Sequence, residues 1–355
     1  MNKTALNVGV LGCGQIAQAA HFESCTKAHN ARLYAICDVA DDLRERMACT
    51  HAPDKSFADY DEMLADPDLD AVIIATSDEF HVPASIQALE AGKHVLCEKP
   101  MATGLAEADA LAAMVRSTGK IFQIGHMKRY DIGLQEAHRF IVEELGDLVA
   151  LKAWYCDSTH RYAMTDAVQP LIVTSTNARR PSAPPKADLR RYYMLAHGSH
   201  LLDTARFLGG PIESVSARLS DQRGMHCWFV DVEFASGAIG HLDLTVAVRM
   251  GWHEGFQIYG QNGSIVGTTS NPWYFRTSEV DIFRERDRSS YRPLGADGHF
   301  YRRQLEGFAD TILNGAPMTG ADIDDGLASV RGMLAISRSV QTGESVALDR
   351  VTGSL

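Results

Sequence analysis

The chain has 355 residues, of which 45% are apolar and 22% charged, and carries a formal net charge of −11. That length accommodates two domains with sizeable cores, and the composition is that of a globular protein. The acidic balance, with no basic tract, argues against nucleic acid or an anionic membrane surface as a partner, and no apolar run approaches membrane-spanning length.

The first predicted strand, residues 6–11, runs into Gly12-Cys13-Gly14-Gln15-Ile16-Ala17, a match to G-x-G-x-x-A. Such a loop joins a buried parallel strand to a helix that begins near Gln15. Gly12 permits the tight turn, Gly14 lets a pyrophosphate approach the backbone, and Ala17 lets the helix lie close to the strand. The N–H groups of Gln15 and Ile16, at the positive end of the helix dipole, then face phosphate. A second strand, 32–37, leads into Asp38. A carboxylate there can accept both ribose hydroxyls of an adenosine and repels a 2′-phosphate, so NAD is favoured over NADP. The plain alternative for Asp38 is a cap or turn residue.

Further strands are predicted at 70–75, 94–97 and 121–124. Between them, Val82, Ile86 and Leu89 share one helical face, and a second helix runs from a Thr103 cap through Leu105, Leu111, Ala112 and Val115. Short strands that are apolar throughout, joined by helices, make a doubly wound parallel α/β sheet covered on both faces, here residues 1–125. Ligands of such sheets bind at the carboxyl edge. Thr76 and His81 follow the 70–75 strand and are cofactor candidates, with a turn or core role as the alternative for His81. Glu98, Lys99 and Pro100 follow the 94–97 strand; Pro100 biases Lys99 towards an extended conformation. From that edge Glu98 can border the cofactor. The Lys99 ammonium can reach over a nicotinamide and stabilise charge on a substrate oxygen. Arg129, just after the last of these strands, can meet cofactor phosphate or substrate.

Residues 126–355 read differently. Asp131–Leu145 is helical, Leu148–Tyr155 alternates, and hairpins are predicted around Ser236-Gly237 and Gln261-Asn262-Gly263. The expected architecture is α+β, a large, mostly antiparallel open sheet. Phe300–Asn314 and Asp325–Thr342 are predicted helices expected to cover one face of it, leaving the other to solvent or a partner subunit. Ala196-His197-Gly198-Ser199-His200-Leu201-Leu202-Asp203 opens a helix. His200 and Asp203 share its face; the imidazole can exchange a hydroxyl proton, and Asp203 can orient it. Tyr155 and His197 are further substrate candidates. Arg161, Arg179 and Arg180 could recognise hydroxyls or an acidic group, although solvent-facing loop positions are the plainer reading.

Together the glycine loop, Glu98-Lys99-Pro100 and Gly198-x-His200-x-x-Asp203 resemble the Gfo/Idh/MocA oxidoreductases over nearly the whole chain. The resemblance implies a catalytic Lys99 and His200, substrates among sugars, polyols and their oxidised derivatives, and a homodimer or homotetramer built through the second sheet. Many polyol-oxidising members carry an Asp four residues before the motif His; here that position is Ala196, and the neighbouring His197 cannot serve as a carboxylate.

The leading expectation is an NAD-dependent sugar or polyol oxidoreductase. One alternative is an NAD-retaining enzyme that uses transient oxidation for elimination or glycoside cleavage; another is a non-catalytic NAD-binding regulator. The opening residues lead straight into a strand, leaving no room for a signal peptide. The seven cysteines include no C-x-x-C pair and read as reduced thiols, so a cytoplasmic location is expected.

Overall fold

A computed structural model describes residues 3–158, 171–274, 276–295 and 298–355. The chain forms two compact units. The first is Met1–Met127 with two later segments, Pro170–Ala187 and Phe300–Leu327. A single cut at residue 125 does not capture these two returns.

The first unit holds a six-stranded parallel sheet: β1 (Leu6–Leu11), β2 (Ala31–Cys37), β3 (Lys55–Phe57), β4 (Ala71–Ile74), β5 (His94–Cys97) and β6 (Phe122–Ile124), in the order β3-β2-β1-β4-β5-β6. The central strands are buried almost without alternation, as a sheet covered on both faces requires. Strand order reverses between β1 and β4, so a crevice opens at their carboxyl ends. The helix Leu105–Thr118 starts one residue later than expected. Gly104 is the N-cap, and Glu107 Oε1 accepts the N–H groups of Thr103 and Gly104 at 2.5 and 2.9 Å. The helix Phe300–Asn314 covers this sheet, not the second one: Leu305, Phe308 and Ala309 join the core of Val8, Val10, Ile36 and Phe22. Its apolar face required a cover, but nothing in its periodicity specified which sheet would supply it.

The second unit is Lys128–Gln169, Asp188–His299 and Ala328–Leu355. Its nine strands are β7 (Leu148–Ser158), β8 (Ile212–Gln222), β9 (Met225–Phe234), β10 (Ile239–Val248), β11 (His253–Gly260), β12 (Gly263–Thr269), β13 (Glu279–Arg284), β14 (Ser289–Tyr291) and β15 (Val346–Ala347). They pair in the order β14-β13-β12-β11-β7-β10-β9-β8-β15, antiparallel except for β7 beside β10. The helices Ile132–Glu143 and Ser199–Gly209 lie on one face. There a Cβ on Gly133 would come within 2.5 Å of the Ser278 carbonyl, a close approach only glycine permits. On the opposite face Phe229, Ile239, Tyr259, Val266 and Phe283 are exposed. Among the described residues no helix is long and apolar enough to cross a membrane.

Candidate functional site

In the first unit, β1 ends at Leu11 and the helix starts at Gln15. Gly12 has φ 92°, and its N–H donates to the Cys37 carbonyl at 2.8 Å. A Cβ there would lie 2.8 Å from the Ala75 oxygen. Among the described residues a Cβ on Gly14 would meet nothing within 4 Å, so the backbone faces open space where a phosphate can approach. Gln15 is exposed beside it, while Ile16 is half-buried against the core. Asp38 completes the corner. Its Oδ2 accepts the Cys13 N–H at 2.7 Å and its Oδ1 the Ala40 N–H at 2.9 Å. Arg44 reaches back to the same corner, donating to the Asp38 carbonyl at 2.8 Å while paired with Asp41 at 2.6 Å. The open glycine turn, the helix start and the fixed carboxylate fit a dinucleotide.

The next loops are tied to each other. His81 is buried, with Nδ1 2.8 Å from the Pro100 oxygen and Nε2 3.1 Å from the Thr76 oxygen. Its ring is spent on joining the loops that carry Thr76 and Lys99. Glu98 is buried against His21, Oε1 to Nε2 2.9 Å, and its Oε2 accepts the Lys99 N–H at 3.2 Å. Burial works against the Glu98 charge, yet the His21 hydrogen bond and the charges of His21 and Lys99 hold its pKa below the ordinary value. Gly125 leaves room for this carboxylate: a Cβ there would stand 3.2 Å from it. Lys99 is half-buried and follows directly, its peptide bond to Pro100 cis.

Three residues just past these loops hold the returning segment Leu171–Ala187. The Gln18 amide makes paired hydrogen bonds with the Val173 backbone, both 2.9 Å. Asp42 accepts the Ser175 hydroxyl at 2.7 Å, and Glu79 accepts the Ser182 hydroxyl at 2.8 Å. Arg179 and Arg180 therefore belong to the first unit. Arg161 lies outside the described residues.

In the second unit, Met194–Gly198 is a wide turn that leads into the helix Ser199–Gly209. A Cβ on Gly198 would come within 2.4 Å of the Met194 sulfur, so a larger residue there requires that side chain to shift. His200 is buried, its ring parallel to that of Tyr155 at 6.1 Å and 5°. The Tyr155 hydroxyl lies 3.2 Å from His197 Nδ1, and His197 Nε2 is 3.5 Å from Asp157 Oδ2. The Lys128 ammonium stands 4.5 Å over the Tyr155 ring and pairs with buried Glu254. Burial pushes the Glu254 carboxyl up, against the pull of Lys128. Asp203 has a partner that the sequence did not suggest: both its oxygens face Arg129, at 2.7–3.1 Å. This buried bidentate pair clamps the helix to the Arg129 turn.

Asp157 and Glu254 were missed in the sequence. Asp157 is two residues beyond Tyr155 on the same strand, hence on the same face, and Glu254 pairs opposite Tyr155. Extending the alternation of β7 by one step would have found the first; the second required the strand pairing.

Residues 6–126 match the family model described as an oxidoreductase family with an NAD-binding Rossmann fold, and residues 143–266 match the GFO/IDH/MocA C-terminal domain. Myo-inositol 2-dehydrogenase of Thermotoga maritima is 27% identical, covering 98% of this chain and 100% of its own. The NAD(+)-dependent scyllo-inositol 2-dehydrogenase of Bacillus subtilis is 28% identical over 96% and 95%. Among solved structures, a levoglucosan dehydrogenase in complex with NADH and L-sorbose superposes with a TM-score of 0.79 at 22% identity, covering 98% of this chain and 100% of that one. At that identity the likeness speaks for the fold alone.

Proposed function

The chain belongs to the GFO/IDH/MocA oxidoreductase family with an NAD-binding Rossmann domain, and we propose that it interconverts a hydroxyl and a carbonyl on a sugar, cyclic polyol or related derivative. NAD, when bound, supplies the acceptor for the hydride that leaves the carbinol carbon. Gly12, Gly14, Gln15, Ile16 and Asp38 hold the dinucleotide, with Thr76 and Glu98 bordering it further along the sheet edge. His81 is a positioning residue, because its ring joins two loops.

His200 takes the hydroxyl proton in oxidation and returns it in reduction, a task suited to an imidazole near neutrality. The Lys99 ammonium, at the carboxyl edge of the first sheet, stabilises negative charge that develops on a substrate oxygen. Tyr155 and His197 meet the hydroxyls of the substrate. With its proton on Nε2 towards Asp157, His197 accepts the Tyr155 hydroxyl at Nδ1 and sets its direction. Arg129 and Asp203 hold the helix in place instead of binding substrate.

The observation that carries the substrate reading is the buried set of Tyr155, Asp157, His197 and His200 in one unit. Side chains that both donate and accept, held rigidly on a sheet and a helix, suit a ligand dense in hydroxyls. Two similar proteins carry inositol dehydrogenase names. The test is a panel of inositols, hexoses, anhydrosugars and sugar acids with NAD and with NADP, followed by nicotinamide absorbance. Turnover on a polyhydroxylated compound with NAD preferred supports the proposal. Tight NADH binding with no turnover across the panel overturns it.

The exposed apolar row Phe229, Ile239, Tyr259, Val266 and Phe283 supports a homo-oligomer built through the open sheet. Light scattering on wild type and Phe229→Asp checks it. All seven cysteines are free thiols, which supports a reducing, cytoplasmic setting.

A further inference from the structure

We propose that Val173–Ser182 is a strap that closes over the bound dinucleotide and governs its release. This rests on the cofactor placement proposed above. Each of the three anchors stands just past a loop assigned to the cofactor: Gln18 past Gly14, Asp42 past Asp38, Glu79 past Thr76. The first is the firmest. The Gln18 amide grips both backbone groups of Val173, and its Nε2 also donates to the Cys13 carbonyl at 2.8 Å inside the glycine loop. Strap and loop are therefore joined through one side chain. Val173 and Ala178 pack against the core of the first unit, so the segment is seated and does not merely lie on the surface.

The route between anchors follows from strand order. Asp42 follows β2 and Glu79 follows β4, and β1 lies between those strands. Ser175 bonds Asp42, and Ser182 bonds Glu79 through its N–H (2.9 Å) and its hydroxyl. Residues 176–181 must then run from the β2 side to the β4 side, across the end of β1, where the glycine turn stands. That crossing carries Arg179 and Arg180. The Arg179 guanidinium lies 4.3 Å from the Phe80 ring centroid, at the β4 end of the run. Two arginines on the run that crosses the glycine turn, in an otherwise acidic chain, are within side-chain reach of a pyrophosphate there and match its two charges. Their role is then at the cofactor, not at the sugar. A ligand enclosed beneath a tied segment leaves only when the ties open, so the strap acts on dissociation more than on association.

Stopped-flow fluorescence with NADH and the full-length protein tests this. Ser175→Ala/Ser182→Ala and Arg179→Gln/Arg180→Gln are expected to raise the release rate about tenfold or more with little change in association. The Arg pair should also flatten the salt dependence of affinity. Apo melting curves matching wild type confirm that the variants are folded. Release rates within about twofold of wild type in both variants overturn the strap. Asp38→Ala separates this failure from that of the cofactor placement. If it weakens NADH while the strap variants do not, only the strap falls. If it leaves NADH affinity unchanged, the placement falls and the strap with it.

Discussion

Asp38 Oδ2 accepts the backbone N–H of Cys13 at 2.7 Å, so the residue assigned to ribose also braces the glycine turn. With Oδ1 on the Ala40 N–H, both oxygens are fixed by backbone donors. Arg44, held by Asp41, waits at the same corner. Replacing Asp38 by Ala removes a charged acceptor worth about 1.5–3 kcal/mol, so NADH affinity is expected to fall roughly 10- to 100-fold. It also removes the repulsion of a 2′-phosphate and leaves Arg44 nearby to meet one. NADPH affinity should therefore fall less than NADH affinity, or rise. Fluorescence titration with both cofactors measures the ratio; an unchanged preference would count against a ribose role for Asp38.

His94 makes folding of the first unit sensitive to mild acid. It opens β5, and its Nδ1 accepts the Ile121 N–H at 3.0 Å, which needs a neutral ring. Burial, with the nearby Lys120 charge, lowers its pKa from 6.5 to about 4. Below the ordinary value the unfolded chain binds the proton and the folded chain does not. Stability is therefore intact above that value and is lost as pH falls towards about 4. A shift of this size corresponds to about 3 kcal/mol at most. Glu98, whose pKa is also lowered, loses its contribution only in stronger acid, below the ordinary Glu range. Urea midpoints against pH for wild type and His94→Asn should converge across this window. Parallel curves would exclude His94 as the cause.

Asp157, His197 and Tyr155 should behave as one unit. The contacts at 3.5 Å and 3.2 Å run in series, so breaking either one frees the phenol to turn. Asp157→Asn, His197→Gln and Tyr155→Phe are each expected to lower kcat about 10- to 100-fold. The Asp157→Asn/His197→Gln double variant should lose little more than either single one. The acid limb of the kcat profile should move in Asp157→Asn, which a purely structural role would not do. Additive losses with an unmoved profile refute the series arrangement.

Local signals accounted for most of the first unit and for the hairpins of the second. The glycine turn, the strand edge at Glu98–Lys99 and the hairpin turns each follow from a few adjacent residues, and the predicted strands and helices lie where alternation and helical spacing put them. β3 escaped because it is three residues long with two of them exposed, which leaves no apolar pattern to read. Partnerships between distant residues were not legible. Sequence spacing related Asp203 to His200, three residues away, but gave no sign of Arg129, which the fold brings to it from 74 positions upstream. The strap was invisible for the same reason: a Pro-rich loop in sequence gives no hint that Gln18, some 155 residues earlier, holds it. Ala196 marked a departure from the family pattern; one more step of the β7 alternation reaches Asp157, but that it stands beside His197 is visible only in space.

Gly12 and Gly14 provide the sharpest separation of fold from function. At Gly12 the left-handed φ of 92° and the 2.8 Å approach to the Ala75 oxygen make alanine costly whatever is bound. Gly12→Ala should lose about 1–3 kcal/mol of stability, with NADH binding lost alongside it. At Gly14 a Cβ meets nothing within 4 Å among the described residues, so Gly14→Ala should fold as well as wild type. Shortening the conformational freedom of the unfolded chain could even add about 0.4–1 kcal/mol. Yet that Cβ projects into the space where a pyrophosphate would approach the backbone, and NADH affinity is expected to fall about tenfold or more. Urea unfolding of the apo protein and NADH titration, done on both variants, should thus dissociate: one variant loses both properties, the other only binding. A Gly14→Ala protein that binds NADH normally would place the pyrophosphate elsewhere.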